Sequence, residues 1–240
     1  MSRILPLLAL LLAMVPLSAA DDGWTDLLAD DSLAAFKSPS PIWGFCGTIG
    51  LDDKNAKKFA PKAGKGILWN GDKGRCPDLF TQTKFADIDV KLEFMIPKGA
   101  NAGIKFHGHY EIQIIDSFGK KEPLEGDDCG GIYPKATMKP TYHHLDKGIG
   151  PKVNACKAPG EWQTLEIRFL APTFDGAGKK KTNAKIAKAT LNGQLLHENQ
   201  EIPYPTGHRF DQPEMRDGPL MIQGDHGAIA IRTFQVRAVK

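Results

Sequence analysis

Asp87-Ile88-Asp89-Val90-Lys91-Leu92-Glu93-Phe94-Met95-Ile96 alternates with a period of two: Ile88, Val90, Leu92, Phe94 and Ile96 fall on one face. Asp87, Asp89, Lys91 and Glu93 fall on the other, with Met95 the one apolar exception. Only an extended strand separates side chains this way, one face in a core and one in water. Trp162–Leu170 repeats the pattern, with Leu165, Ile167 and Phe169 set against Thr164, Glu166 and Arg168. Ala184–Leu191 and Gln194–Glu198 flank Asn192-Gly193, a strong hairpin signal because both turn residues tolerate positive φ. Further strands are predicted at Gly66–Asn70, Leu79–Thr83, Gly103–His107, Tyr110–Asp116, Pro219–Gln223 and Ile229–Val239, and a short helix at Trp24–Phe36. Strands joined by Gly/Pro-rich turns, with almost no helix, predict an all-β chain of two antiparallel sheets packed face to face. The missing βαβ alternation excludes a doubly wound sheet or a TIM barrel. No repeat or linker divides the chain.

The composition is globular: 41% hydrophobic and 25% charged residues in a chain of 240. Thirty-one Lys and Arg against 28 Asp and Glu leave a formal charge of +3, which gives no reason to expect nucleic acid. Residues 1–20 read as a signal peptide: Arg3, then the apolar Ile4–Leu17 broken by Pro6 and Pro16, then the small Ser18-Ala19-Ala20. The expected mature domain, 21–240, is therefore exported, periplasmic or extracellular, and lacks a membrane anchor because no Cys follows the cut. Cys46, Cys76, Cys129 and Cys156 allow three pairings, of which the sequential one, 46 with 76 and 129 with 156, is the first expectation, with free buried thiols as the alternative.

Two irregular stretches interrupt the strands. Ser117–Gly160 carries Asp127, Asp128, Tyr133, Tyr142, His143 and His144 and reads as a lid over a binding cleft. Lys37–Lys65, with Trp43 and Phe45, is expected to wall the same cleft. Within Tyr110–Asp116, Glu111 and Gln113 share one strand face, and Asp116 joins them only if a bulge adds a residue. Two carboxylates on one concave sheet suit glycosidic bond cleavage. Lys105 and His107 share a face by the same parity, and a tight turn at Gly108-His109 would set His107 beside Glu111 as an acid/base couple. His107, His109 and Glu111 lack the spacing of a metal site, so no metal ligand is assigned. Gln223-Gly224-Asp225-His226-Gly227 places an Asp–His pair between two glycines, either a tight turn or a rim that faces Glu111.

Together these segments form an ordered set. Leu92-Glu93-Phe94-Met95-Ile96-Pro97, Gly99-Ala100-Asn101-Ala102-Gly103 and Tyr110-Glu111-Ile112-Gln113-Ile114-Ile115-Asp116-Ser117 make one block. Cys129-Gly130-Gly131-Ile132-Tyr133, Pro159-Gly160-Glu161-Trp162-Gln163 and Gly218-Pro219-Leu220-Met221-Ile222-Gln223-Gly224-Asp225-His226-Gly227 follow. The set resembles the 3-keto-disaccharide hydrolase domain, whose name couples a 3-keto-glucoside 1,2-lyase to a 3-keto-2-hydroxyglucal hydratase. It departs from the family pattern at Ala102, at His107 and at Ile231-Arg232-Thr233.

The resemblance implies a concanavalin-like jelly roll and a glycoside already oxidised at C3, hence a functional link to a sugar 3-dehydrogenase. A C3 ketone acidifies the C2 hydrogen, so a base can remove it and the enolate can expel the C1 substituent. The expected base is Glu111, with Asp225 and His226 as acid/base partners. His107, Gln113, Asp116, Tyr133 and Gln223 are expected to hold the sugar, Asp116 on the condition of the bulge. No cofactor is required, and a divalent metal at the ketone is optional. Two other readings are a laminarinase-type glycoside hydrolase and a glycan-binding module without catalysis.

Overall fold

The computed structural model describes residues 23–239, so the expected signal peptide lies outside the described residues. In chain order the first strands are β1 (Thr25–Asp26), β2 (Gly44–Asp52), β3 (Asn55–Trp69) and β4 (Leu79–Phe85). Next come β5 (Ile88–Met95), β6 (Asn101–Phe106), β7 (Tyr110–Ile115), β8 (Ala136–Thr137) and β9 (His143–His144). The C-terminal half adds β10 (Gln163–Leu170), β11 (Thr173–Phe174), β12 (Lys180–Thr182) and β13 (Ala184–Leu191). Last are β14 (Gln194–Ile202), β15 (Gly218–Ile222) and β16 (Ala230–Ala238).

These strands build a jelly-roll sandwich. The larger sheet runs β14-β13-β10-β5-β16-β3-β2, with β1 added against β16. The smaller runs β4-β15-β6-β7, and both are antiparallel. The alternation read from residues 87–96 is the reason the sheets stack. Ile88, Val90, Leu92 and Phe94 point inward from β5 to meet Ala102, Ile104 and Phe106 of β6 and Ile112 and Ile114 of β7 in one core. Each such aromatic or branched side chain contributes roughly 1.5–3 kcal/mol by leaving water. The opposite parity puts Asn101, Gly103, Lys105, Glu111 and Gln113 on the outer face of the smaller sheet. That face carries the site.

On the polar face of β5, Asp89 sits opposite Arg168 of β10 and Arg237 of β16. Arg168 donates to it through Nε at 2.7 Å and Nη2 at 2.8 Å, and Arg237 through Nη2 at 2.7 Å. Asn192 (φ 52°) and Gly193 (φ 79°) form the expected turn between β13 and β14.

Three expectations are corrected. Trp24–Phe36 is not a helix but the short β1 followed by a 3-10 turn at Ala29–Asp31, because β1 pairs with β16 and Leu27 donates its N–H to the Phe234 carbonyl. Residues 37–65 are not irregular. Most of them form the β2–β3 hairpin, and Trp43 is buried with its indole N–H donated to the Pro77 carbonyl at 2.9 Å rather than walling a cleft. The four cysteines are free thiols, all buried. Cys129 and Cys156 nevertheless influence each other, which pushes Cys129 up and pulls Cys156 below the ordinary thiol value, and Cys156 Sγ donates to the carbonyls of Ile115 and Lys157 at 3.7 and 3.5 Å.

Candidate active site

A cavity of about 540 Å³ opens on the outer face of the smaller sheet. Its floor comes from the strands through Lys105 and Asn101 of β6, Glu111 of β7 and Met221 of β15. Its walls come from Tyr133, Met138 and Tyr142 of the long 117–160 stretch and from Thr206–Arg209. The buried Gln223 adds to the floor and the rim holds Asp225 and His226, with Asp78 and Phe80 on the β4 side.

At the bottom, Lys105 Nζ lies 3.0 Å from Glu111 Oε2, and the Glu111 side chain is only 3% exposed. The β6–β7 register explains the pairing. Phe106 faces Tyr110 across a turn of three residues, 107–109, so Lys105 rather than His107 faces Glu111. Burial pushes the Glu111 carboxyl above its ordinary value, while Lys105 and His226 pull it down. A β carbon at Gly103 would collide with the Glu111 carboxylate, so the absent side chain makes the space in which that group lies. Thr206 Oγ1 accepts the Glu111 N–H at 3.0 Å and donates to the His109 carbonyl at 2.9 Å, which ties the wall to the outer edge of β7.

Asp78 is a second carboxyl on the cavity. Its Oδ1 accepts the Gly224 N–H at 2.9 Å, yet burial raises it overall, with the Asp225 charge adding to the rise. Asp225 and His226 are hydrogen-bonded to each other through Oδ1 and Nδ1 on the open rim. Their loop is held from below by the buried Asn70, which donates to the carbonyls of Gly224 (3.1 Å) and Gly227 (2.8 Å) and accepts the Ile229 N–H (2.9 Å).

Buried oxygens without a hydrogen-bond partner cluster on the same sheet face: Asn101 Oδ1, Gln113 Oε1 and Gln223 Oε1. Leaving such groups unpaired costs roughly 1–3 kcal/mol each, which a hydroxylated ligand or ordered water would relieve. Gln113 and Gln223 flank Gly103 from the two neighbouring strands.

Of the residues singled out from sequence, Glu111, Tyr133, Gln223, Asp225 and His226 are brought together on the cavity. Gln113 shares the face but is buried, away from the lining. Asp116 is not there. The β6–β7 register runs without a shift, so no bulge turns it, and its carboxylate instead accepts the Gly99 N–H at 2.8 Å and the Phe118 N–H at 3.3 Å. His107 is not there either. At φ 56° it leaves the strand and packs edge-on against Phe169 and Tyr110 at the end of the core. Among the described residues, no group of three or more His, Cys, Asp or Glu side chains is placed to hold a metal ion, His107, His109 and Glu111 included. Sequence reasoning gave Lys105 no role, although the strand register carries the signal. For Asp78, Met138 and the 206–209 segment no local signal exists, because the fold alone brings them in.

The profile of the 3-keto-alpha-glucoside-1,2-lyase-like domain matches residues 23–237. Three solved structures of candidate glycosyl hydrolases from Parabacteroides distasonis share the fold. One is 23% identical over 91% of this chain and 84% of that one, with a TM-score of 0.65. The second is 19% identical over 90% and 99%, with a TM-score of 0.56, and the third 16% identical over 91% and 95%, with a TM-score of 0.52. No curated protein matches the chain. By the extent of the profile match, the chain belongs to the 3-keto-alpha-glucoside-1,2-lyase-like domain family and is a carbohydrate-active enzyme of jelly-roll fold.

Proposed function

We propose that the cavity cleaves 3-keto-glycosides by removing the C2 proton and eliminating the C1 substituent, with water adding to the product afterwards. The observation that carries this reading is the buried Glu111–Lys105 ion pair at the cavity floor. Glu111 is the base: burial raises its basicity, and Lys105 keeps it ionised. As the C2 proton leaves, charge moves onto the C3 oxygen, and the Lys105 ammonium, freed from a carboxylate that is now neutral, stabilises it. The pair thus changes partners at the moment charge develops. Gln223 and Asn101 accept hydrogen bonds from sugar hydroxyls, and Gln113 supports the floor beneath them. Asp225 and His226, exposed at the rim, suit the hydration step, where a pair at the water side takes and returns a proton. A 3-keto substrate implies a sugar 3-dehydrogenase upstream. With the expected signal peptide, the site of action is the periplasm or the extracellular space.

The test is release of aglycone from a 3-keto-glucoside beside the unoxidised glucoside. Cleavage of the ketone alone supports the reading. Cleavage of the plain glucoside instead favours a conventional hydrolase, for which Asp78, a second carboxyl on the same cavity, is the specific support. Binding without cleavage of either favours a glycan-binding module.

A further inference from the structure

Elimination at C1 also needs an acid for the departing oxygen, and the 117–160 stretch supplies a candidate with a route to solvent behind it. The Tyr133 hydroxyl is hydrogen-bonded to Tyr142 Oη at 2.9 Å and to His144 Nε2 at 3.1 Å. The Tyr133 and His144 rings meet edge to face, 5.3 Å between centroids at 84°. On the far side of the imidazole, Nδ1 lies 4.0 Å from Asp127 Oδ2. The His144 and Asp127 side chains are 32% and 42% exposed, so the line runs from the cavity wall to water.

Each part is anchored through its backbone. Tyr133 donates its N–H to the carbonyl of Glu111 at 3.1 Å, which fixes it beside the proposed base. His144 is held in β9 opposite Ala136 of β8, and Leu145 donates to the Lys135 carbonyl at 2.7 Å. The turn bearing Asp127 is closed by Asp128, whose Oδ2 accepts the Glu125 N–H at 2.8 Å. Burial, the Tyr142 hydroxyl and the nearby charges of Glu111 and Asp127 all push the Tyr133 phenol up, so it keeps its proton until a strongly basic oxygen, such as a departing alkoxide, takes it.

We infer that Tyr133 protonates the leaving oxygen and that His144, steadied by Asp127, returns the proton from solvent. This rests on the elimination reading above. In the step, the C2 proton passes to Glu111, its electron pair forms the C1–C2 double bond, and the C1–O bond breaks with its pair on the aglycone oxygen. That oxygen takes the Tyr133 proton. The phenolate takes the Nε2 proton of imidazolium His144, water reprotonates His144, and Glu111 gives its proton to water. Tyr133 is the catalytic residue, and His144 and Asp127 are positioning residues behind it. The titratable groups facing His144 are Asp127, Tyr133 and Tyr142, with Glu111 beyond Tyr133. Lys135 and Asp146 pair with each other at 3.6 Å, and the His143 ring engages the Thr141 carbonyl at 2.9 Å.

The test compares alkyl and nitrophenyl 3-keto-glucosides, since a nitrophenolate needs little help in leaving. For His144→Gln, kcat is expected to fall about 100-fold on the alkyl substrate and about threefold on the nitrophenyl one, with KM little changed. The basic limb of the alkyl kcat profile should flatten, and imidazole should restore part of the activity of His144→Ala. Equal losses on both substrates, or no loss, would overturn the relay. Should the wild-type protein cleave no 3-keto-glycoside, the elimination reading fails, and the relay is judged on the free protein by 15N NMR of the His144 ring. The Nε2 resonance should move in Tyr133→Phe and the Nδ1 resonance in Asp127→Asn. Ring resonances unmoved in both would overturn the relay by themselves.

Discussion

Lys105 Nζ and Glu111 Oε2, 3.0 Å apart, face each other across β6 and β7 at the floor of the cavity, the carboxylate almost wholly out of water. An ion pair there is costly for the fold, because desolvation works against both charges. The pair lies on a face that also lacks partners for three carboxamide oxygens, a concentration of unfavourable burial that supports the proposed site.

The pH dependence follows from that pair. Glu111 is raised above the ordinary glutamate value of 4.5, and as the proposed base it must be ionised to act. Turnover should therefore rise with pH through an acid limb whose midpoint lies above 4.5. Lys105→Met removes a cation that favours the ionised form, so the limb should move to still higher pH while kcat falls by about 100-fold. Stability runs the opposite way. With the folded value above the unfolded one, the Glu111 contribution is fully present at low pH and is lost as pH rises through the folded value. An acid limb unmoved in Lys105→Met would contradict the assignment.

Gly103→Ala tests the space around the base. The added methyl meets the far end of the Glu111 side chain, not backbone, so the fold should survive with little change in Tm. The carboxylate, however, must move, and a shift of that size should lower kcat by about 10- to 100-fold. Circular dichroism melts beside steady-state kinetics separate the two effects.

On the larger sheet, Asp89 between Arg168 and Arg237 is a structural triad remote from the cavity. The Arg168 hydrogen bonds hold its carboxyl below the ordinary value of 3.8, against the effect of burial. The folded value being depressed, the stability it contributes is present above the unfolded value and disappears as pH falls through the folded one. Asp89→Asn should cost about 2 kcal/mol near neutral pH, less at pH 2, and leave KM unchanged. Urea titrations at the two pH values measure it.

Under mild oxidation Cys129 and Cys156 should join, since each thiol shifts the other and Cys156 is moved toward the reactive thiolate. Closing that loop should stabilise the fold by on the order of 3 kcal/mol. Cys46 and Cys76, both raised by burial, should stay reduced. Peptide mapping by mass spectrometry decides, and a 46–76 bridge would contradict this account.

Much of the fold was legible because strand alternation is a local property. The β5 and β10 patterns named the core faces, and Asn192-Gly193 named its turn. The helix expected at 24–36 failed because an apolar run of that length reads alike in either state until β16 offers β1 a partner. The site was legible where one strand or loop carried it, as with Glu111 or Asp225-His226. Lys105 was missed by one residue of turn length, which decides the residue opposite Glu111. Asp78, placed by a hydrogen bond to Gly224 from 146 positions away in sequence, left no local trace.

Proton NMR in D2O of a 3-keto-glucoside with the wild-type protein and with Glu111→Gln tests the central claim most directly. The account predicts that the wild-type protein exchanges or removes the C2 proton of the ketone and releases the aglycone. Glu111→Gln should bind the sugar yet leave that proton in place, with turnover down at least about 1,000-fold. Undiminished loss of the C2 proton in Glu111→Gln, or aglycone release with the C2 proton intact, would contradict it.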